Sequence, residues 1–506
     1  MDSQSFFGTN LNILAITCAS LIAIPFLWIL YNLFLHPLRH FPGPKSWAAS
    51  VIPFARNQLR GTDNHSILEL HKRYGPVVRI GPNDLSYADP VVYRETLTHR
   101  PAGHAEFPKC KTFAITPTNG VLSILFANRD NHTRYRRAFA ASFSEKGMQQ
   151  QQSAIRGFVD KFIDGLNEKG GDAALDMTAW FNWTSFDVIG HLTFGESFGC
   201  LEHQRMHPWI EAIFGNVKAI AVIAAMRQLG LGPLISYLVP QKTLEGRIRH
   251  AEFSEQKMRA RIAMGSNQGD FLDPVLKKYR GKSEEGSLTF DELVSNGSLL
   301  VLAGSETTAT LLSGTVYQLC CNPLALQRTI AEIRSSFASP DEIDLFSTAK
   351  LSYTLAVLNE TMRIYPPVPV PVPRESPAGG ASINGIAIPG GSTIYISQYV
   401  MSRLDNFWAK PEEFHPERFL KEGHEYHVAG TFDNDDHSVF QPFSIGPRNC
   451  IGRNLAYAEM RLILTRLLFD FDLELDERSK DWTKGQKAYK LWVKPPLWVK
   501  VTPKKV

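Results

Sequence analysis

A long apolar segment in the middle of the chain constrains the fold most strongly. Thr289 and Glu292 have the spacing of a capping box, in which a threonine hydroxyl and a glutamate carboxylate bind backbone amides at the start of a helix. From there to about Leu319 the residues are apolar on most faces, which predicts one long helix that crosses a hydrophobic core. A chain of 506 residues with 44% hydrophobic residues can surround such a helix, and no obvious linker divides it. We therefore predict a single large domain.

Strand patterns flank the helical part of the chain. Residues 77–81 and 84–88 alternate on either side of a Gly-Pro-Asn turn, which predicts a hairpin. Further on, the Ile-Asn-Gly-Ile sequence at residues 383–386 is typical of a tight two-residue hairpin. Between about 90 and 350 the pattern is mostly helical and amphipathic. The predicted fold class is therefore mainly α with small β-sheets.

The N-terminal region has a different character. Residues 11–35 contain no charged side chain and are long enough to cross a bilayer, which takes about 20 apolar residues. The alternative is a cleaved signal peptide, but the apolar stretch is too long for one and no small-residue cleavage site follows. Because Arg39 and Lys45 follow the span, the remainder is expected on the cytosolic side. The predicted organisation is a lumenal N-terminus, a transmembrane anchor, a proline-rich hinge and a catalytic domain, with boundaries 1–10, 11–35, 36–48 and 49–506.

Charge and cysteine content exclude other classes of protein. The net charge of +4 is too small to indicate nucleic-acid binding. The six cysteines form no regular framework, and such sparse use fits a reducing compartment better than a disulfide scaffold.

The middle of the long helix carries an unusual polar group of residues, Gly304, Ser305, Glu306, Thr307 and Thr308. An acid is costly to bury without partners. Glycine and hydroxyl side chains that bond back to carbonyls would loosen the helix locally. Two interpretations stay open on the residues alone. The group faces solvent, or it forms a proton-relay site beside a buried ligand.

Cys450 lies in a loop with Gly446, Arg448 and Gly452 and directly precedes a long helical pattern. No other cysteine or histidine lies at the short spacing of a zinc site. A catalytic thiol would need a base that the sequence does not nominate, and a buried inert cysteine is the common alternative. The glycines allow close approach of a large flat group, and a helix start with a nearby arginine favours a thiolate. These features are typical of an axial haem ligand.

Four motifs carry a resemblance to the cytochrome P-450 superfamily. Residues 443–452 match the F-x-x-G-x-R-x-C-x-G signature at every fixed position. Glu360 and Arg363 form an E-x-x-R motif, residues 416–419 read Pro-Glu-Arg-Phe, and residues 303–308 resemble the A-G-x-E/D-T-T motif of the oxygen-binding side. The chain resembles the microsomal, filamentous-fungal type, close in texture to trichothecene C-15 hydroxylase-like monooxygenases of secondary metabolism.

The resemblance implies a membrane-anchored haem-thiolate monooxygenase with haem b as cofactor. It would use O₂ and electrons that come from NADPH through a reductase, with cytochrome b5 as a further donor. The implied location is the endoplasmic reticulum membrane, in contact with lipid, and the implied substrate is a lipophilic terpenoid or polyketide. Two alternatives stay open: a haem-thiolate isomerase or dehydratase that does not use O₂, and a non-catalytic haem-binding sensor.

The resemblance also implies roles for individual residues. Cys450 would be the iron ligand, with Phe443 shielding its sulfur, and Glu306 with Thr307 would deliver protons. The haem propionates would be bound by four residues, of which the first stands where the family pattern has tryptophan: His132, Arg136, Arg374 and Arg448. A buried ion network would join Glu360, Arg363 and Arg418. The substrate-pocket candidates are Phe107, Phe113, Ile115, Val121, Leu299, Leu302, Ala303, Val368, Val370 and Leu491.

Overall fold

Helices form most of the structure. The computed structural model describes residues 3–99, 105–113, 117–277, 279 and 287–504. Within these ranges the α-helices, in chain order, are α1 Ser3–Leu30, α2 Lys45–Ala49, α3 Ile52–Arg60, α4 Asp63–Tyr74, α5 Pro90–Leu97, α6 Arg129–Phe139, α7 Glu145–Lys169, α8 Met177–Phe194, α9 Cys200–His203, α10 Pro208–Gln228, α11 Ile235–Leu238, α12 Gln241–Ala263, α13 Asp273–Leu276, α14 Phe290–Cys321, α15 Pro323–Ser336, α16 Ser352–Ile364, α17 Gln398–Met401 and α18 Arg453–Asp470. The prediction of a mainly helical fold is confirmed.

Helix α14 crosses the core as the sequence predicts. The Thr289 hydroxyl accepts from the amide of Glu292 at 3.2 Å, and the Glu292 carboxylate accepts from the amide of Thr289 at 2.8 Å. This helix packs along α8. Gly304 permits the close contact, because a Cβ there would lie 2.6 Å from Cδ1 of Ile189. Within the described residues α14 is long and apolar enough to cross a membrane, but 72% of its apolar window is buried inside the protein; Ala19–Leu35 is a shorter apolar helix. It is therefore a core helix.

The described strands form four small sheets, one of which includes a strand from the helical part of the chain. In chain order they are β1 Val77–Gly81, β2 Asp84–Tyr87, β3 Ala174–Asp176, β4 Arg374–Glu375, β5 Ala381–Ile383, β6 Ile386–Ile388, β7 Thr393–Ile396, β8 Phe471–Leu475, β9 Lys487–Tyr489, β10 Leu491–Val493 and β11 Trp498–Pro503. The largest sheet has the order β1-β2-β7-β4, a second has the order β3-β11-β8, and β5-β6 and β9-β10 are hairpins.

Both predicted hairpins are present. β1 and β2 pair antiparallel, with Val77 opposite Tyr87. β5 and β6 pair across Asn384 and Gly385, whose φ values are +50° and +75°. Two successive positive φ values are those of a type I′ turn, which explains the Asn-Gly sequence.

The N-terminal helix α1 extends into a π-helical turn, Tyr31–Leu35, and presents apolar side chains such as Ile22, Leu27 and Trp28 outward. Its end is attached to the domain through Asn32. The Asn32 amide donates to Ala49 O at 2.9 Å, and the Arg79 guanidinium donates to Asn32 O at 3.0 Å. The segment that follows is also held, because the amide of Arg79 donates to Pro42 O at 2.7 Å. The apolar helix therefore leaves the domain in a defined direction.

Candidate active site

The loop that carries Cys450 is held by its own backbone. The Cys450 amide donates to Phe443 O at 2.9 Å. Gly446 has a φ of +76°, and a Cβ there would lie 2.0 Å from Leu97 O, so another residue would not fit. Gly452 is the N-cap of α18. The glycines that the sequence singles out therefore shape the loop and start the helix.

The Cys450 side chain reaches accessible space although protein surrounds it closely. The residue is exposed. Even so, the surrounding protein desolvates its thiol and raises the pKa of that thiol, and this effect outweighs those of the Gly452 amide, Arg136 and Arg453, which lower the pKa. An accessible group that is nevertheless desolvated lies at the wall of a cavity inside the protein. A thiol in this position can coordinate a metal, which would remove its proton.

Five basic side chains cluster beside this loop. Burial, and then the cations Arg448, Lys109, Arg136 and Arg374, lower the pKa of His132 to about 4, so this histidine is neutral. Burial and then Arg448 lower the pKa of Arg374 to about 10. Burial, with Arg374 and Arg448, holds the pKa of Lys109 well below its usual value. The lowered pKa values show that these side chains are desolvated and that their positive charges repel one another.

This cation cluster fits a ligand with two negative charges. Glu106 partly offsets it, with one carboxylate oxygen 3.3 Å from the Arg448 guanidinium. A buried excess of cations is unfavourable unless an anion completes it. The two propionates of a haem would supply that charge next to the cysteine thiol. The residues present therefore fit haem.

Lys109 is a member of this cluster that the sequence analysis did not identify. Its backbone forms an isolated bridge with Arg374, which brings the two side chains together from distant parts of the chain. A single lysine in an irregular segment carries no local signal, so the pairing becomes visible only in three dimensions.

The predicted propionate-binding residues make different contacts. Arg136 donates to Asn449 O at 2.5 Å and to its Oδ1 at 2.6 Å, which ties α6 to the cysteine loop. Arg448 donates to Ala127 O at 2.9 Å, and Arg374 donates to Phe107 O at 3.3 Å. The predicted sulfur shield, Phe443, is half-buried and packs against the Tyr457 ring, with centroids 5.1 Å apart.

Glu360, Arg363 and Arg418 meet in a fully buried network. Arg363 donates to both carboxylate oxygens of Glu360, at 2.7 and 2.8 Å. Arg418 donates to the same carboxylate at 3.2 Å. Its side chain also pairs with Asp435, a fourth member that the sequence analysis did not identify. The charges therefore balance as two acids and two arginines.

Backbone carbonyls complete this network. Arg363 donates to Ser402 O at 2.7 Å, Pro411 O at 2.6 Å and Glu413 O at 2.9 Å. Arg363 therefore ties α16 to the irregular segment that leads to the cysteine loop. This segment, which the structure describes throughout, contains no β-strand or long helix that would hold it in place.

Glu306 and Thr307 are adjacent in sequence but differ in their surroundings. Thr307 is half-buried and donates to Ala303 O at 2.7 Å, and Ala303 is exposed in the middle of a mostly buried helix. This part of α14 therefore borders a cavity. Glu306 is 2% exposed and forms an ion pair with Lys494.

Lys494 was not anticipated from the sequence. Its ammonium also donates to the Thr310 hydroxyl at 2.6 Å, and that hydroxyl donates to Glu306 Oε1 at 3.2 Å. The other carboxylate oxygen, Oε2, is buried with no hydrogen-bond partner among the described residues. Glu306 is thus held on one oxygen and free on the other.

The pocket candidates divide into three groups by exposure. Ala303 and Val368 are exposed, whereas the half-buried candidates are Val121, Leu299, Leu302 and Leu491. Phe113 and Val370 are buried in the main core. Ile115 lies outside the described residues. Phe107 is 1% exposed and lies in a separate core cluster with Leu85 and Ile394 of the first sheet, so its place in the pocket stays a prediction.

Comparisons with known proteins agree with this geometry. A sequence model of the family described as Cytochrome P450 matches residues 42–501. The chain is 44% identical to an averantin hydroxylase of Dothistroma septosporum over 479 residues, which cover 94% of this chain and 89% of the relative. It is 40% identical to a versicolorin B desaturase of Aspergillus parasiticus, covering 93% of each chain. It is 39% identical to a trichothecene C-15 hydroxylase of Fusarium sporotrichioides, covering 94% of this chain and 95% of the relative.

Proposed function

Because this chain belongs to the cytochrome P450 family, we propose that it hydroxylates a lipophilic secondary metabolite while anchored to the endoplasmic reticulum membrane. Its class is haem-thiolate monooxygenase, which uses haem iron, O₂ and electrons supplied by a reductase. The finer proposal is supported by relatives named for hydroxylation of averantin and of trichothecene. The family and these relatives favour an oxygenase over an isomerase or a sensor.

The accessible thiol of Cys450 beside the cation cluster is the observation that carries this proposal. A haem supplies oxygen activation when bound, and the thiolate ligand favours O–O cleavage. The protein's own residues then have separate tasks. His132, Lys109, Arg136, Arg374 and Arg448 bind the propionates, Ala303 and Val368 border the substrate space, and Glu306 with Thr307 provide protons.

The direct test of the proposed function is expression of the full chain with a fungal NADPH-dependent reductase, followed by mass spectrometry of metabolite extracts. We expect a thiolate-type carbon-monoxide difference spectrum and a product that gains one oxygen atom at the expense of NADPH. Loss of two hydrogen atoms without oxygen gain would instead indicate a desaturase, as one relative is named. Absence of the thiolate-type band would refute the haem-thiolate assignment.

Partners and location belong to the same proposal. The proposed electron donors are a membrane-bound NADPH-dependent reductase and cytochrome b5. Residues 11–35 are proposed to span the membrane, with residues 1–10 lumenal, 36–48 as the hinge and 49–506 cytosolic. Support comes from the outward apolar side chains of α1 and from the contact of Asn32 with Ala49, which fixes the helix to the domain.

Replacement of Lys109 by methionine should have opposite effects on the haem-free and haem-bound proteins. Without haem, removal of one repelled, desolvated cation should increase stability, because the like charges Arg374 and Arg448 lie nearby. With haem, loss of a charge-assisted contact should increase the rate of haem loss by about tenfold or more. Unfolding of the apoprotein and haem transfer to apomyoglobin measure the two effects. The exposed Lys146→Met is the control, and equal behaviour of both variants would contradict the propionate role.

A further inference from the structure

The turn of the β9–β10 hairpin presents a lysine in a strained backbone conformation. Tyr489 pairs with Leu491, so Lys490 alone forms the tip. Its φ is +78°, a left-handed conformation that a residue with a Cβ adopts with strain and that glycine adopts freely. Strained positions persist where the surrounding structure holds them and are frequent at ligand-binding sites.

Protein closely surrounds the Lys490 ammonium, but no anion neutralises it directly. Its Nζ lies 3.5 Å from the centroid of the Phe113 ring. Burial lowers the pKa of Lys490 to about 8, against Asp63 and Cys110, which act in the opposite direction. Among the described residues its ammonium has neither a hydrogen bond nor an ion pair. A desolvated ammonium without a direct partner can donate a hydrogen bond to a ligand oxygen.

Two neighbouring polar residues at the start of α4, of which Asp63 interacts with Lys490, are only partly satisfied. Asp63 is 3% exposed, its Oδ1 has no hydrogen-bond partner within the described ranges, and burial raises the pKa of its carboxyl. The next residue is Asn64. Both polar atoms of its side-chain amide are buried and have no hydrogen-bond partner within the described ranges. Native proteins normally satisfy buried polar atoms. An unpartnered carboxyl oxygen of Asp63 close to a half-buried, desolvated lysine indicates a place for a polar group that the protein itself does not supply.

Helices α3 and α10, which both contribute residues beside Tyr395, carry further unsatisfied amides. Gln58, 3% exposed, has no partner for either side-chain amide atom among the described residues. It lies one turn after Phe54, whose ring is 5.4 Å from that of Tyr395. Gln228 hydrogen-bonds the Tyr395 hydroxyl, and its Oε1 is buried without a partner in the described part of the chain. The centroid of the Tyr395 ring is 6.2 Å from that of the Phe113 ring, which is the ring that the Lys490 ammonium contacts.

The same hairpin connects this cluster to the oxygen-binding helix. Lys494 follows β10 and pairs with Glu306 of α14. Three residues separate Lys490 from Lys494, so the two are four steps of chain apart, a span of at most about 13 Å at the rise of a β-strand. Leu491, half-buried, lies between them. A rigid molecule of two or three fused or linked rings is long enough to reach from one end to the other.

We propose that Gln58, Asp63, Gln228, Tyr395 and Lys490 form a hydroxyl pocket that binds an alcoholic or phenolic hydroxyl of the substrate, at the end remote from the oxidised carbon. The substrate hydroxyl donates to the Asp63 carboxyl, and its oxygen accepts from the Lys490 ammonium. A group that both donates and accepts matches this pair better than an ester or ether does. The Phe113 ring packs against the apolar body. This inference rests on the proposed function and assigns it a substrate class, a lipophilic molecule with a distal hydroxyl.

The test uses the haem-loaded full chain and two rod-shaped probes, 4-phenylphenol and its methyl ether 4-methoxybiphenyl. Dissociation constants are measured by equilibrium dialysis and by the spin-state shift of the haem. We expect 4-phenylphenol to bind at least about tenfold more tightly, as a charge-assisted hydrogen bond allows. Lys490→Met should reduce this preference to less than about twofold, and Asp63→Asn should reduce it as well.

Two further variants keep the result interpretable. Lys490→Gly suits a φ of +78°, so it should fold normally and still lose the preference. Lys487→Met removes an exposed lysine from the same hairpin and should retain the preference for 4-phenylphenol. Equal affinity for the two probes in the wild type, which would mean that water alone fills the cluster, overturns the inference. An unchanged preference in both Lys490 variants also overturns it. Neither measurement needs turnover, so a normal carbon-monoxide spectrum without a preference would leave the proposed function intact.

Discussion

Glu360→Ala is expected to leave the protein largely unable to retain haem. The substitution removes the carboxylate that both Arg363 and Arg418 bind, and all three side chains are fully buried. Breaking a buried ion pair by removal of one partner costs about 3–5 kcal/mol, because the remaining charge is left uncompensated. That cost is a large fraction of the stability of an ordinary domain, about 5–15 kcal/mol. The segment that leads to the cysteine loop should lose the contacts of Glu360 with Arg418 and with the His415 amide, which weakens its attachment to α16.

The measurements are haem content per protein after purification and the free energy of unfolding. Asp435 still pairs with Arg418 in this variant, so Arg363 is the group expected to destabilise it most. The control is Glu474→Ala, which breaks a surface pair with Lys500 whose side chains are 72% and 40% exposed. A surface pair contributes about 0–1 kcal/mol. Normal haem content in Glu360→Ala would contradict the structural role.

Local chemistry explains which features the sequence could predict. The capping box at Thr289 and Glu292 and the Asn-Gly hairpin at residues 383–386 depend on neighbours within a few residues. The cysteine loop is similar, because its glycines and the following helix are adjacent in the chain. These features were anticipated from the residues alone, and the resemblance added the contact of Glu360 with Arg418.

Other features depend on contacts between distant residues. Lys109 meets Arg374, Lys494 meets Glu306, and Asp435 meets Arg418, in each case without a sequence pattern that marks the partner. The surroundings of Phe107 could not be predicted for a related reason. An aromatic residue in an irregular segment has the same composition whether it lines a cavity or packs under a sheet, and here it packs with Leu85.

Lys494→Met and Glu306→Gln should separate the structural and chemical roles of the buried pair. Lys494 and Glu306 are 4% and 2% exposed in their side chains. Lys494→Met leaves the carboxylate unpaired and should destabilise the protein by about 3–5 kcal/mol. Replacing both partners by neutral groups is close to neutral, so the double variant should recover most of that loss.

Product formed per NADPH, measured with the substrate found in the metabolite screen, should follow a different pattern. Glu306→Gln removes the acid, so coupling should fall by about tenfold or more, with peroxide as the by-product. The double variant, although stable, should be equally uncoupled. Thr307→Ala should behave like Glu306→Gln if the hydroxyl next to the acid carries the proton onward. Below its unfolding temperature Lys494→Met retains the acid and should retain coupling.

The unpaired Oε2 of Glu306 is the reason to expect this separation. Lys494 and Thr310 hold Oε1, which fixes the carboxylate without occupying its second oxygen. One oxygen thus anchors the group while the other can exchange a proton with water or with a neighbouring hydroxyl. Full coupling in the double variant would show that Glu306 serves only to pair with Lys494, and proton delivery would then have to be assigned to Thr307 and water.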